Sequence, residues 1–180
     1  MDDKEFERLL LSVQKPGRYS GGEINSVVKD KNKVDVRFAF CFPDTYEIGM
    51  SHLGIKILYS QFNEREDIWC ERVFAPCEDF EALMREKNIP LFGLESRDSI
   101  RDFDFIGFTL QYEMSYTNIL NMLDLAGVPL RAADRTELSP LVVAGGPCCS
   151  NAEPIADFFD LFFLGEGEEV DLEVIDLYKE

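Results

Sequence analysis

The residues of this chain that are equipped for chemistry gather where apolar runs end. The stretch "PDTYEIGMSHLG" (43–54) follows the first such run and holds Asp44, Tyr46, Gly49 and His52, the only histidine. "TLQYEMSYTN" (109–118) follows another and brings Thr109 and Gln111, while "GGPCCS" and "GEGEE" add Gly145, Gly146, Gly165 and Glu166. Such residues suit holding a ligand better than breaking a bond. Paired glycines let backbone amides approach a group that a side chain would exclude, and a hydroxyl, an amide or a carboxylate orients it. One glycine pair alone is also what a tight strand-to-helix turn requires. Four furnished loops at strand ends point to a binding face, and no residue is assigned a catalytic role.

A metal role is disfavoured by spacing. Cys41, Cys70, Cys77, Cys148 and Cys149 contain no Cys-x-x-Cys pair, and one histidine cannot complete a usual zinc set with them. Adjacent Cys148 and Cys149 are poorly placed for joint chelation or an ordinary disulfide, so small buried thiols in a reducing compartment are expected. His52 falls six residues past Tyr46. It can swing toward a ligand, though a capping or partly buried histidine is the commoner case.

These loops need elements to carry them, and the composition provides for a core. The chain has 180 residues, 46% of them hydrophobic, enough for one domain without disulfides or metals. Thirty-five acids against 18 bases give a net charge of −17, which argues against nucleic acid and anionic membrane as partners. No signal-peptide core opens the chain and no apolar run approaches the roughly 18 residues that span a bilayer, so a cytoplasmic location is expected.

Phe6, Leu9, Leu10 and Val13 fall at helical spacing within residues 2–14, and Pro16-Gly17 ends that helix. A polar arm follows, with a short strand expected at Ile24–Val28. Residues 1–33 thus form an N-terminal helix and arm. From Val34, "VDVRFAFCF" alternates and then turns wholly apolar, as a central strand covered on both faces does. A helix with Leu53, Ile57, Leu58 and Phe62 inward comes next, then a strand at "CERVFAP", a helix with Phe80, Leu83 and Met84 inward, and an extended "IPLFGLE". "FDFIGFTL" is the clearest buried strand. It leads to a helix capped by Ser115 and stopped by Gly127. "PLVVAGGP" and "DFFDLFFLGEGEE" read as strands running into glycine turns, with Phe158, Phe159, Phe162 and Phe163 as core on both sheet faces, and "EEVDLEVIDLYKE" is a last helix.

Strands alternating with such helices imply βαβ units and right-handed crossovers. The fold class is therefore α/β: a three-layer, doubly wound, mostly parallel sheet of five strands in the order 2-1-3-4-5, spanning residues 34–180. Ligands in such sheets sit beyond the carboxyl ends of the strands where strand order reverses, between the loops after the first and third strands. Familiar occupants fail individually. Asp44 and Glu47 would repel the phosphate of a flavodoxin-type flavin, Thr109 and Gly165 replace the acid and lysine of a phosphorylated receiver, and no G-x-G-x-x-G follows the first strand.

Asp44 to Gly49 has the spacing of the cobalamin-binding motif Asp-x-His-x-x-Gly, with Tyr46 at the histidine position. The runs "DFDFIGFTLQYEMSYTNILNMLDLAGVPL" and "PLVVAGGPCCSNAEPIADFFDLFFLGEGEE" are similar to the amino-terminal cobalamin-binding-type domain of radical SAM proteins, where GGP and GEGE recur. "SGGEINSVVKD" with "FAFCFPDTYEIGMSHLGIKILY" resembles one uncharacterised subgroup of them. The resemblance covers roughly residues 16–180. It implies a flavodoxin-like fold, a corrinoid or substrate platform at Asp44, Tyr46, Gly49, His52, Thr109, Gln111, Gly145, Gly146, Gly165 and Glu166, and a radical SAM barrel domain as partner. That barrel, absent from this chain, would hold a 4Fe-4S cluster and S-adenosylmethionine on a Cys-x-x-x-Cys-x-x-Cys triplet. The chain lacks the triplet, so it is not expected to be catalytic alone and reads as one domain of a longer protein. Thr109-Leu110-Gln111 keeps the hydroxyl of the family's Ser-x-Leu feature but not its pattern.

Tyr46 is the sharpest departure. A phenol with a pKa of about 10 loses its proton too reluctantly to serve as a cobalt ligand near neutrality, unlike imidazole. With cobalamin bound, Tyr46 is expected to cover its lower face as an apolar plate, or water to ligate it, a setting suited to methyl transfer. The competing reading is a degenerate α/β module that has lost the corrin and docks the barrel or another protein. Gln111, Tyr112 and Glu113 serve either reading, and Glu166, Glu168 and Glu169 also complement the dipole of the last helix.

Overall fold

The run Val36–Phe42 is buried at every position, a pattern that only a strand covered on both faces satisfies. In the computed structural model, which describes residues 3–180, this strand, β1, pairs in parallel with β2 (Ile68–Phe74) on one side and β3 (Phe105–Thr109) on the other. β4 (Leu141–Gly145) adds to β3, and the two-residue β5 (Leu161–Phe162) adds to β4. The result is a five-stranded, all-parallel sheet in the order 2-1-3-4-5, as the alternation of apolar runs and helices requires.

Among the described residues six α-helices accompany it: α1 (Asp3–Leu10), α2 (Tyr46–Ser51), α3 (Leu53–Glu64), α4 (Glu78–Lys87), α5 (Tyr116–Ala126) and α6 (Gly167–Tyr178). Alternate strand side chains sort the core into two layers. Phe38, Phe40, Phe105 and Val143 face α3 and α6, while Ala39, Cys41, Ile106 and Val142 face α1, α4 and α5. Phe38 stacks on Phe105 with ring centroids 5.6 Å apart. Gly107 makes this possible, because a Cβ there would lie 2.5 Å from the Phe38 ring.

β2 is an edge strand, and its outer backbone groups are taken up by side chains and loops. Asn63 accepts from the Cys70 amide at 3.1 Å and donates to the Cys70 carbonyl at 2.9 Å. The Glu95 carboxylate accepts from the Arg72 amide at 2.8 Å, and the Leu94 amide donates to the Arg72 carbonyl. Lys29 donates to the carbonyls of Asn63, Arg65 and Ile68. Arg72 itself is a buried hub: its Nε donates to Glu95 at 2.7 Å, its Nη2 to Ser26 and Glu23, and its guanidinium lies 4.5 Å over the Tyr59 ring. Burial holds the Glu95 carboxyl above its ordinary range, with Arg72 opposing that shift.

Several sequence expectations change. The arm at Ile24–Val28 forms no strand. Its backbone instead bonds to side chains, the Val27 amide donating to Tyr59 and the Val27 carbonyl accepting from Trp69, and Ile24 and Val28 stay exposed. α3 buries Ile55, Tyr59 and Phe62 and leaves Leu53 and Ile57 exposed, because its sheet-facing stripe is set two residues away from the one read from Leu53 and Ile57, on the opposite side of the helix. Ser115 donates to the Tyr112 carbonyl and makes no cap for α5, whereas Gly127 ends that helix in the left-handed conformation. The expected strand through "DFFDLFF" shrinks to Leu161–Phe162, since Glu153–Phe158 coils into a 3-10 helix. The phenylalanines still divide between layers, Phe159 in one and Phe163 in the other. Among the described residues no helix is long and apolar enough to cross a membrane.

Arg72→Met leaves Glu95 buried without its ion partner. Breaking such a pair is expected to cost about 3–5 kcal/mol in denaturant unfolding and to expose the arm at Lys29 and Lys31 to trypsin. Lys31→Met, which removes an exposed pair with Asp98, is expected to change stability by less than about 1 kcal/mol. Equal effects of the two would show that the hub does not hold the arm.

Candidate functional site

An all-parallel sheet delivers every strand's carboxyl end to one rim. Between β1 and β3 the strand order reverses, so the chain leaves toward opposite faces and a gap opens. A cavity of about 200 Å³ lies there. Phe38, Phe40, Val143 and Phe163 form its sheet wall, and Ile55 and Leu58 of α3 face them. Seven residues singled out in the sequence line it: His52, Thr109, Gln111, Gly145, Gly146, Gly165 and Glu166. Asp44, Tyr46 and Gly49 do not.

The loops around the mouth are fastened to one another. Asn118 donates to the Pro43 carbonyl at 2.9 Å and Tyr112 to Asp44 at 3.4 Å, joining the loops after β1 and β3. The Leu110 amide donates to the Gly145 carbonyl at 2.7 Å and the Cys148 amide to the Leu110 carbonyl at 3.1 Å, joining those after β3 and β4. Gly146 is needed for this closeness. Its φ is +103°, and a Cβ would lie 3.0 Å from the Leu110 carbonyl oxygen. Gly145 is different: a Cβ there would meet only Phe163, at an ordinary 3.9 Å. Its open side is the cavity.

His52 stands before α3 as its cap. Its Nδ1 accepts from the Ile55 amide at 3.4 Å, which leaves the proton on Nε2. Thr109 Oγ1 accepts from the Gln111 side-chain amide. Tyr46 is drawn elsewhere, donating to Glu23 Oε1 at 3.0 Å and packing edge-on against Phe74. Burial and the neighbouring Glu23 raise its phenol pKa. Gly49 admits Phe74, whose ring a Cβ would meet at 2.3 Å. Burial also raises both thiols after β4, Cys149 to about 11, so neither is an activated nucleophile. Among the described residues no group of three or more His, Cys, Asp or Glu side chains is placed to hold a metal ion.

Sequence reading missed Asp171. It lines the cavity from α6, is 8% exposed, and its buried Oδ1 has no hydrogen-bond partner. Burial first, then the Glu168 charge, push its pKa up to about 7. The signal was present in the helical period: Asp171, Val174, Ile175 and Tyr178 form the inward stripe of α6, so an acid occupies a core position. Glu166 and Glu168 also line the cavity, and no lysine or arginine does.

A model of the family described as radical SAM proteins, N-terminal, matches residues 54–180. An uncharacterized protein of Methanocaldococcus jannaschii, MJ0966, is 31% identical over 140 residues, which is 76% of this chain and 26% of that relative. The matched part of the chain thus spans about a quarter of the length of this curated relative. The matched region contains all of the cavity wall except Phe38, Phe40 and His52.

Asp171 makes stability depend on pH in an unusual direction. Below about pH 3 the carboxyl is protonated folded or unfolded and has no effect. As pH rises toward 7 the unfolded chain ionises while the folded one retains its proton, so stability falls. Above both values the loss reaches about 4 kcal/mol. Among the cavity-lining groups Glu168 on its own helix reinforces this, Glu166 just before that helix and His52 just before α3 line the same space, and the strands present nothing ionisable. Asp171→Asn is expected to raise the unfolding midpoint at pH 8 and leave it nearly unchanged at pH 4. An equal change at both would mean the carboxyl is not desolvated.

Proposed function

The chain belongs to the family of radical SAM protein N-terminal domains, and on that premise we propose that it is a cobalamin-binding-type domain, offering a corrinoid or substrate platform to a radical SAM barrel. The observation that carries this reading is the slot at the switch point, apolar along its walls and open on the side of Gly145. A cavity of about 150 Å³ holds one benzene ring. A slot of about 200 Å³ therefore suits one flat, slightly larger ring, such as the base of a corrinoid's nucleotide tail, and not a macrocycle.

Phe38, Phe40, Val143 and Phe163 would hold such a base, with Gly145 and Gly146 leaving backbone beside the tail. The chain's own residues bind and orient. A corrinoid, once bound, supplies a cobalt centre suited to alkyl transfer. Tyr46 offers no axial ligand, because its hydroxyl is occupied by Glu23 and its raised pKa keeps it protonated. The iron–sulfur cluster and S-adenosylmethionine belong, on this reading, to the barrel. A second reading, the docking module without a corrin, is favoured by Ile48, Leu53, Met114 and Leu164, which are exposed on segments that follow β1, β3 and β5. Apolar side chains gathered on one rim suit contact with another domain.

Incubation of the chain with hydroxocobalamin, followed by desalting, separates the two readings. Retained visible absorbance is expected. Gly145→Ala, whose methyl fits the fold but intrudes on the slot, is expected to lower retention by roughly tenfold, about 1.4 kcal/mol, with an unchanged thermal midpoint. Colourless protein at every cofactor concentration would sink the corrinoid reading and leave the docking one.

A further inference from the structure

The platform reading uses the rim and leaves the arm and the outer face of α6 without a role. Both carry apolar side chains that nothing in the fold covers. On the arm Val27 packs inward, while Ile24 and Val28 stand exposed. The arm is nevertheless fastened on either side of them, by Glu23 to Arg72, by the Val27 backbone to Tyr59 and Trp69, and by Lys29 to three carbonyls. An apolar segment held in place yet uncovered points to a contact outside the chain. On α6 the outward stripe of Glu169, Glu173 and Asp176 runs beside Val170 and Leu177, all of them exposed. Spacings of four and three set these acids above one another, where like charges repel. Arg65 partners Asp176, but Glu169 and Glu173 have no basic partner among the described residues. We propose that the two surfaces bind each other between two copies of the chain, the arm of each copy lying on α6 of the other in a two-fold dimer.

Charge selects a second copy as the occupant. Residues 1–33 carry seven bases and six acids, whereas residues 34–180 carry eleven bases and 29 acids. Two copies therefore repel across most pairs of faces. A contact that sets Lys31 and Lys33 against the acidic stripe of α6 is attractive, and it brings Ile24 and Val28 toward Val170 and Leu177. The two lysines are free to take part, since their pairs with Asp98 and Asp30, at 3.0 and 3.5 Å, are exposed and such pairs exchange at little cost. The surfaces also adjoin. Lys29 donates to the Arg65 carbonyl at 2.6 Å, Arg65 donates to Asp176 at 2.6 Å, and Lys179 at the end of α6 pairs with Asp35, just past the arm, at 2.9 Å. A basic and an acidic surface side by side are self-complementary under a two-fold rotation, which makes both contacts at once. An arm and one helix face bury little area, so the dimer belongs to the weak, salt-sensitive class.

Sedimentation of the 180-residue chain over a range of concentrations is the test. A dimer is expected whose dissociation constant rises severalfold between about 0.05 M and about 0.5 M salt, as screening shortens the reach of the charges. Lys31→Glu with Lys33→Glu, and separately Glu169→Lys with Glu173→Lys, are each expected to raise that constant by roughly tenfold or more, about 1.4 kcal/mol. Mixed one to one, the two variants are expected to form a dimer holding one copy of each, because both contacts then join opposite charges. Recovery on mixing separates lost association from lost folding. A parent chain that stays monomeric up to about 1 mM, where binding is weaker than about 4 kcal/mol, would overturn the inference and leave both faces to another protein. Dimers that neither charge reversal weakens, or variants that remain apart on mixing, would overturn it as well.

Discussion

The open edge of β2 is the constraint on which the amino-terminal third depends. A parallel sheet that ends in a strand must satisfy that strand's outward amides and carbonyls or risk pairing with another chain. Here Asn63, Glu95, Leu94 and Lys29 supply the partners. Arg72, enclosed within the same edge, draws in Glu95, Glu23 and Ser26. A guanidinium removed from water needs such a set, since a buried charge is tolerated only when paired and hydrogen-bonded. Because Glu23 lies on the arm, pairing it with Arg72 fixes the arm across the edge.

That closure reaches the rim. Glu23 accepts a hydrogen bond from Tyr46 as well as from Arg72, so Tyr46 is tethered on the β2 side instead of over the gap between β1 and β3. The slot stays open as a consequence, and its mouth is framed by loops that are bonded to each other. Rigid loops around an apolar slot bind a flat group without first having to be ordered, which spares the entropy that a mobile rim would lose. The slot and the exposed apolar side chains of the rim are separate features, so cofactor retention distinguishes the two readings of function.

Asp171 lowers the stability of the fold as pH rises through its ordinary range. The same desolvation that raises its pKa to about 7 strengthens any hydrogen bond it forms with a ligand, because the surroundings are poor in competing water. The acidic lining has a second effect. It turns away anions from the slot itself, so any phosphate carried by a ligand has to remain outside.

The amino-acid sequence by itself determined the architecture. Val36–Phe42, Phe105–Thr109 and Leu141–Gly145 are, apart from Arg37 and Thr109, so continuously apolar that only a sheet covered on both faces accommodates them, and the intervening helices force parallel order and a shared rim. It also marked Thr109, Gln111, Gly145 and Gly146 as rim residues, because strand ends and glycines are local features. Tertiary structure alone decided which loop residues face the slot. Tyr46 opens α2 and His52 follows it, yet a hydrogen bond to Glu23 on the arm takes the first away and a helix cap keeps the second in place. It alone gave Asp171 its meaning. In the sequence it is one acid among many on an acidic helix, and only its burial in the folded chain removes its water and raises its pKa. Local signals follow the backbone's own period, whereas the charge state and direction of a side chain depend on neighbours brought together from distant segments.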